Sequence, residues 1–287
     1  MLDMLGLSDP CVSGIGSGTI QASLHFSRGG GRTVLARQRL PYPFHATRPF
    51  YLDPAYPQLA TLYLQSASGG LYRGDDVALS IVADPHAAAH VTTQASTIVH
   101  RTHQRGVVQN VRIVVGEHAL VALTPDPLVL FPGAEISCAT EVTLAPSGQA
   151  ILIDGLAQHD PAGLGGMFDH YSTAVIVRNG GGRILLADRG SVTGAAMTGS
   201  SSLLGPFRAA GTIFVLGKGS EQCDADLIER RLAACGCIGG LSKLPNDAGI
   251  GGRILAANGG MLGRGLEAAF SAAFEALIGV APARRRK

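Results

Sequence analysis

The sequence predicts a mainly β fold with a small α+β portion at its C-terminal end. From about residue 21 to residue 141, short segments that are rich in β-branched residues or alternate in polarity are separated by clusters of Gly, Pro and Asp. Glycine accounts for 39 of the 287 residues. This is about twice its usual frequency of roughly 7% and indicates many tight turns. The glycines have no fixed period, which excludes a collagen-like chain.

The predicted strands of the first half are bounded by turn-forming residues. They cover residues 33–37, 58–64, 77–82 and 107–115. Within the last of these, residues 111–115 (Val-Arg-Ile-Val-Val) are too apolar for an exposed strand, so we expect an inner one. Further strands are predicted over residues 150–154, 171–178 and 183–188, and a turn of sequence Asn-Gly-Gly-Gly separates the last two.

The pattern changes after residue 211. Strands are predicted over residues 212–216 and 251–256, and a helix over residues 224–234 with Asp224 as its N-cap. A last helix is predicted over residues 265–278, because its apolar residues recur at helical periodicity. They are Leu266, Ala269, Phe270, Ala273, Phe274 and Leu277. Residues 194–205 are small, polar and flanked by glycine, which predicts a mobile loop.

These patterns suggest one domain rather than several. We expect an N-terminal extension over residues 1–20 and a single β-rich domain over residues 21–287. Its parts are a β body (21–210), an α+β end (211–280) and a basic tail (281–287) that we expect to be frayed and solvated. No repeat of 20–50 residues is visible in the sequence.

Composition narrows the class of protein. Charged residues make up only 15% of the chain, against a usual quarter or so, which suits a surface that docks to partners. The net charge of +2 does not steer the molecule towards nucleic acid or anionic lipid. No apolar run approaches the roughly 20 residues of a membrane span. An odd number of cysteines and the absence of a secretory signal predict a cytoplasmic protein. The cysteines are Cys11, Cys138, Cys223, Cys235 and Cys237.

Short nucleotide-binding motifs fail on context. The glycines of residues 14–18 have no preceding strand, and the segment Gly-Lys-Gly at residues 217–219 lacks both the earlier glycine and the following Ser or Thr of a phosphate loop. Neither a nucleophile elbow of the form Gly-x-Ser-x-Gly nor a His-Glu-x-x-His zinc motif is present in the sequence.

Two groups of residues in the sequence could bind a metal, one of cysteines and one of histidines with an aspartate. Cys223, Cys235 and Cys237 are one thiol short of a closed zinc site, and buried structural cysteines are the better interpretation. His86 and His90 lie four apart and could share a face. Together with Asp75 they would suit a metal-dependent hydrolase on a β scaffold, which is the alternative to a binding protein.

Five segments occur in the order and spacing of a known family. They are residues 30–35 (Gly-Gly-Arg-Thr-Val-Leu), 48–51 (Arg-Pro-Phe-Tyr), 69–75 (Gly-Gly-Leu-Tyr-Arg-Gly-Asp), 91–101 (Val-Thr-Thr-Gln-Ala-Ser-Thr-Ile-Val-His-Arg) and 130–134 (Leu-Phe-Pro-Gly-Ala). The chain resembles the UreD (UreH) family of urease accessory proteins. The motif positions that match are Gly74, Thr92, Thr93, Arg101, Phe131 and Gly133.

The resemblance implies both a fold and a role. It implies stacked, β-helix-like strand layers, assembly with UreF and UreG, and docking onto apo-urease. Nickel would pass transiently through an internal, partly polar channel, with no tightly bound cofactor and no catalysis by the chain itself. Asp75, His100 and Asp126 are the expected nickel route, because carboxylate and imidazole release Ni(II) more readily than a thiolate cage does. A UreD-like scaffold for a client other than urease is a further alternative.

The chain also departs from the family pattern. The acidic residue before the Phe-x-Gly-Ala segment is shifted by one position to Asp126. A glutamate of the family is missing near residues 166–168, and Ile98 and His100 stand where the family has Lys and Tyr. A divergent member of the family is therefore expected.

Overall fold

A computed structural model describes residues 19–198, 202 and 204–285. Nearly all of the predicted N-terminal extension lies outside these residues. The strands are β1 (Ile20–Gly29), β2 (Arg32–Arg39), β3 (Phe44–Ala46), β4 (Leu59–Ser66), β5 (Asp76–Ala83), β6 (Ala88–Thr93), β7 (Ile98–Val99), β8 (Val107–Val115), β9 (Leu120–Thr124), β10 (Leu128–Leu130), β11 (Glu135–Leu144), β12 (Gln149–Gln158), β13 (His170–Asn179), β14 (Ile184–Val192), β15 (Ala209–Gly217), β16 (Ile238–Lys243) and β17 (Gly249–Ala256). The helices are α1 (Gly194–Thr198), α2 (Ala225–Ala234) and α3 (Gly259–Ile278).

Two sheets face each other, and the chain alternates between them. The first has the order β14-β13-β11-β8-β5-β1-β2, and the second runs β16-β17-β15-β12-β9-β6-β4-β3. In the middle of both sheets, neighbouring strands are parallel: β5, β8, β11 and β13 on one side, and β4, β6, β9 and β12 on the other. Each turn of the chain thus adds one strand to each sheet. The expectation of stacked, β-helix-like layers is confirmed.

A short third side closes one flank of this solenoid. Leu71 forms a parallel bridge with Val99, β7 pairs with β10, and β10 pairs with the end of β12. The interior is therefore surrounded by strands on three sides.

The inner face of the first sheet explains why the turns stack. Ile81, Ile113, Val142 and Val177 are fully buried and occupy register positions next to one another on four parallel strands. Branched side chains in such a row pack along the sheet and fix the register of every turn. The predicted inner strand over residues 107–115 is β8, which lies in the centre of the sheet.

Helix α3 covers the outer face of the second sheet. It packs on two glycines, where an added Cβ would lie 3.2 Å from Leu262 at Gly155 and 3.1 Å from Leu262 at Gly211. Asn258 caps the helix by accepting a hydrogen bond from the backbone N–H of Met261 at 2.9 Å. The helix begins six residues before the predicted start, because glycines in its first turns are poor helix formers and mask the periodicity.

The predicted cap of α2 is confirmed, whereas the predicted mobile loop is partly wrong. Asp224 caps α2 as predicted, accepting from the backbone N–H of Leu227 at 3.1 Å. The predicted mobile loop is wrong for residues 194–198, which form α1 with Met197 fully buried, while residues 199–201 and 203 lie outside the described residues. None of the described helices combines the length and the apolar character that a membrane span requires.

Candidate functional site

A cavity of about 790 Å³ lies inside the solenoid, between the two sheets. It extends from Phe44 and Leu64, on the first strands of the second sheet, to Tyr171 and Thr173 on β13. The cavity therefore follows the stacking direction through several turns. Its polar lining includes Thr93, Gln109, Asp126, Cys138, Thr140, Asp154, Tyr171 and Thr173.

The cavity exists because the side chains at the inward positions of a strand change along its length from apolar ones that fill the core to smaller or more polar ones. On β11, buried Val142 closes the core, whereas Thr140 and Cys138 line the cavity. Cys138 is the register neighbour of Gln109 on β8 and of Thr173 on β13, so one polar side chain from each turn forms a row. These side chains are smaller or more polar than the Ile and Val ladder, and they leave the space between the sheets unfilled.

Asp154 provides a carboxyl group at the far end of this row. It accepts a hydrogen bond from Thr173 Oγ1 at 3.4 Å. Burial raises the pKa of Asp154, although a hydrogen bond from Thr212 and the charge of Arg253 act in the opposite direction. Burial also raises the pKa of the Cys138 thiol and of Tyr171. Burial therefore penalises the charged form of each of these three groups.

The basic tail approaches another part of the wall. Arg285 is not solvated as predicted: its side chain is only 8% exposed. Its Nη1 donates to Thr92 Oγ1 at 2.5 Å and to Thr124 Oγ1 at 3.0 Å, and its Nη2 pairs with Glu267. At Arg285 the frayed-tail expectation is wrong, because its partners come from distant parts of the chain and leave no local signal. Arg284 is exposed, and residues 286–287 lie outside the described residues.

The corner of the third side carries a stack of rings from successive turns. Tyr72 stacks on His100 with ring centroids 4.5 Å apart, His100 meets Phe131 at 5.4 Å, and Phe131 meets His159 at 5.8 Å. Each ring belongs to the residue directly after a paired position of the third side. Tyr72 follows Leu71, His100 follows Val99, Phe131 follows Leu130 and His159 follows Gln158. The stack ties neighbouring turns together outside the cavity.

Sequence comparison identifies the family. A sequence model described as UreD urease accessory protein matches residues 18–287.

The chain belongs to the UreD family of urease accessory proteins.

Relatives are similar over almost their whole length. Urease accessory protein UreD 1 of Methylorubrum extorquens (strain PA1) is 49% identical over 93% of this chain and 92% of the relative. UreD 3 of Bradyrhizobium sp. (strain ORS 278) is 44% identical over 93% of this chain and 95% of the relative. A more distant UreD, from Photorhabdus laumondii subsp. laumondii, is 28% identical over 90% of this chain and 82% of the relative.

The UreD motif positions mostly build the corner. Gly74 and Gly133 have positive φ angles of 76° and 73°, a backbone that glycine adopts without strain. The side chain of Arg101 lies over Gly133, where an added Cβ would be 2.9 Å from Nε. Phe131 belongs to the ring stack. Thr92 and Thr93, in contrast, line the cavity.

The three residues of the expected nickel route do not lie together. Asp126 lines the cavity, and its backbone N–H donates to Thr93 Oγ1 at 2.8 Å. Asp75 caps a turn at the corner. His100 sits behind Gly70, a cavity-lining residue whose added Cβ would meet His100 Nε2 at 3.0 Å. That nitrogen is buried and has no hydrogen-bond partner among the described residues. The route through Asp75 and His100 stays a prediction, while Asp126 is the member that faces the cavity.

The histidine pair of the hydrolase alternative is split. His86 stacks on His118 with ring centroids 5.0 Å apart. His90 is buried, contacts Thr124 Oγ1 at 2.8 Å and stacks on Phe270 at 4.7 Å. Asp75 lies at the corner, away from both. In the part of the chain that the structure describes, no group of three or more His, Cys, Asp or Glu residues could hold a metal ion.

Sequence reasoning did not predict several polar lining residues, among them Gln109, Cys138, Thr140, Asp154, Tyr171 and Thr173. One signal was available for Asp154, since it is the single charged residue in an otherwise apolar run over residues 150–157. A lone carboxylate in a strand covered on both faces indicates an interior polar site.

Substitutions of Asp75 distinguish a role in forming the turn from a role in nickel passage. Its Oδ2 accepts from the backbone N–H of Tyr72 at 2.8 Å. We expect Asp75→Ala to lower the free energy of unfolding by about 1 kcal/mol, and Asp75→Asn, which keeps an acceptor, by less than about half of that. Urea denaturation measures both changes.

The same two variants separate the roles of Asp75 in urease activation. If Asp75 is part of the nickel route, both substitutions should lower urease activation while the accessory complex stays assembled. Normal activation with Asp75→Asn would instead leave Asp75 with the turn alone.

Proposed function

We propose that this UreD-family chain is a urease maturation scaffold that binds apo-urease together with UreF and UreG and passes nickel to the urease active site through its internal cavity. The observation that carries the proposal is the partly polar cavity between the sheets, which follows several turns of the solenoid. Nickel is here the cargo, and the chain itself catalyses no reaction. Cytoplasmic action is part of the same proposal.

The chemistry of the lining supports transfer rather than storage. Carboxylate, hydroxyl and amide oxygens are hard donor atoms that can bind Ni(II). A few of them spaced along a path hold the ion weakly. Cys138 is the one described thiol in the lining, and burial raises its pKa. A protonated thiol is a poor ligand, so it does not trap the cargo.

The alternatives have less support. A metal-dependent hydrolase needs a fixed ligand set with an open position, and His86 and His90 face separate neighbours. A scaffold for another client would use the same cavity, and only the identity of the bound partner separates it from a urease scaffold.

The test is a pull-down of the tagged chain from cells that co-express UreF, UreG and apo-urease, with urease activity measured in the same lysate. We expect UreF and urease to be recovered and activity to depend on the chain. Recovery of neither, with activity unchanged by the chain, would exclude the urease client.

Asp126→Asn refines this test. The neutral amide keeps the shape of the side chain and removes one carboxylate from the lining, so activation should fall several-fold while the complex is still recovered. The matched control is Glu141→Gln, which removes a carboxylate from the outer face of β11, where the Glu141 side chain is 49% exposed. Equal activation by both variants would take Asp126 off the route.

A further inference from the structure

A polar row continues from the cavity towards the surface. Asp154 on β12 is the register neighbour of Thr212 on β15, and Thr212 is the register neighbour of Arg253 on β17. Arg253 Nη1 donates to Thr212 Oγ1 at 3.0 Å. Thr212 and Arg253 both lower the pKa of the Asp154 carboxyl group, so both lie close to it. Asp154 lines the cavity, so the row begins inside it.

The row ends at an ion pair that bridges the two sheets. Arg253 Nη2 donates to both carboxylate oxygens of Asp188, each at 2.7 Å. Asp188 belongs to β14 of the first sheet and Arg253 to β17 of the second. The Arg253 side chain is 51% exposed and that of Asp188 23% exposed. The pair therefore stands where the space between the sheets reaches solvent.

We propose that the Arg253–Asp188 ion pair is a latch over a mouth of the cavity, at its Asp154 end. While the pair is formed, a guanidinium group blocks the path and repels a divalent cation. When the pair parts, the carboxylates of Asp188 and Asp154 line the passage from the surface to the row of Cys138 and Thr173. That the passing ion is a metal cargo rests on the proposed function, whereas the mouth itself does not.

The energetics suit a latch. The pair is partly exposed, so water and salt screen it, and it stabilises the protein by about 1 kcal/mol or less. Such a pair opens often without unfolding the sheets. Docking of a partner that supplies its own charges to Asp188 or Arg253 is enough to part it.

Cys138 provides a probe of this mouth that needs neither nickel nor urease. Its thiol faces the cavity, in register with Thr173. A small cationic methanethiosulfonate that reaches the thiolate forms a mixed disulfide and releases methanesulfinate. Peptide mass spectrometry then gives the labelling rate of Cys138 separately from those of the other cysteines in the purified full chain.

The latch predicts faster labelling when either partner is neutralised. Arg253→Gln and Asp188→Asn should each label Cys138 about fivefold faster than the unaltered chain, the factor that corresponds to about 1 kcal/mol. The two variants change the local charge in opposite directions, so acceleration in both reports access to the cavity and not a shift of the thiol pKa. The control is Arg178→Gln, which breaks the ion pair with Glu141 (3.0 Å) on the outer face of the first sheet and should leave the rate unchanged.

Three results would overturn the latch. One is a Cys138 rate in both variants equal to that of the control, and another is acceleration in only one of them. The third is an equal acceleration at Cys223 and Cys237, which are buried in the core under α3 and report general opening of the chain. Failure of the pull-down or of Asp126→Asn, with Cys138 still accelerated, removes the nickel role and leaves the mouth in place.

Discussion

Replacing Thr140 with tryptophan should reduce urease activation more than about tenfold, because a ring that fills the cavity removes passage instead of weakening one contact. Thr140 points into the cavity from β11. Packed sheets lie about 10 Å apart, a distance that an indole side chain largely spans. The empty volume accepts the ring, so the overpacking cost of about 1–3 kcal/mol seen in filled cores should be mostly avoided.

The matched control is Thr143→Trp on the same strand. The side chain of Thr143 points away from the buried side chains of Val142 and Leu144. A tryptophan ring at position 143 therefore lies on the outer face of the sheet. Activity in the co-expressing lysate and recovery of UreF and urease are measured for both variants. Normal activation by Thr140→Trp, with the complex intact, would contradict passage through the cavity.

Phe270→Ala should be the most destabilising of the substitutions considered, lowering the free energy of unfolding by about 3–5 kcal/mol. The Phe270 side chain is 1% exposed. Its ring contacts His90 at 4.7 Å and Phe274 at 5.7 Å, and the guanidinium group of Arg285 lies 5.6 Å from its centroid. Truncation leaves a void beneath α3 and removes the aromatic face on which both the histidine and the terminal segment rest.

Urea denaturation of the purified chain measures this loss. Leu164→Ala serves as the control, because Leu164 is 88% exposed and its truncation should change stability by less than about 0.5 kcal/mol. A loss below about 1 kcal/mol for Phe270→Ala would mean that α3 and the sheet collapse around the missing ring, and that the packing described here is not what holds the helix.

Periodicity predicted the elements better than it predicted their arrangement. Strand β8 matches its predicted range, since turn residues bound a branched apolar run on both sides. The stacking into parallel turns came only from the family resemblance, because register partners such as Gln109 and Cys138 are joined by the fold and carry no repeated sequence. Helix α3 was predicted too short because its first turns are rich in glycine.

The site was harder to predict than the fold for a physical reason. Asp126 was expected from the family motif and does face the cavity. Asp154 lies on β12, which is buried on both faces, so no alternation of polarity shows which way its side chain points. Asp75 was predicted from its place in a segment that matches the family motif, yet its carboxylate accepts a hydrogen bond within a turn. Only the register of neighbouring strands separates these cases.

The antiparallel strands at the ends of the first sheet have a consequence for assembly. Parallel solenoid turns present a row of unpaired N–H and C=O groups, on which another copy could add strands without limit. Strand β2 pairs antiparallel with β1 and bears three exposed arginines, Arg32, Arg37 and Arg39. β14 closes the opposite edge, also antiparallel. Charge repulsion between two β2 edges disfavours their pairing, and the antiparallel direction of both outer strands interrupts the parallel stacking that a further turn would continue.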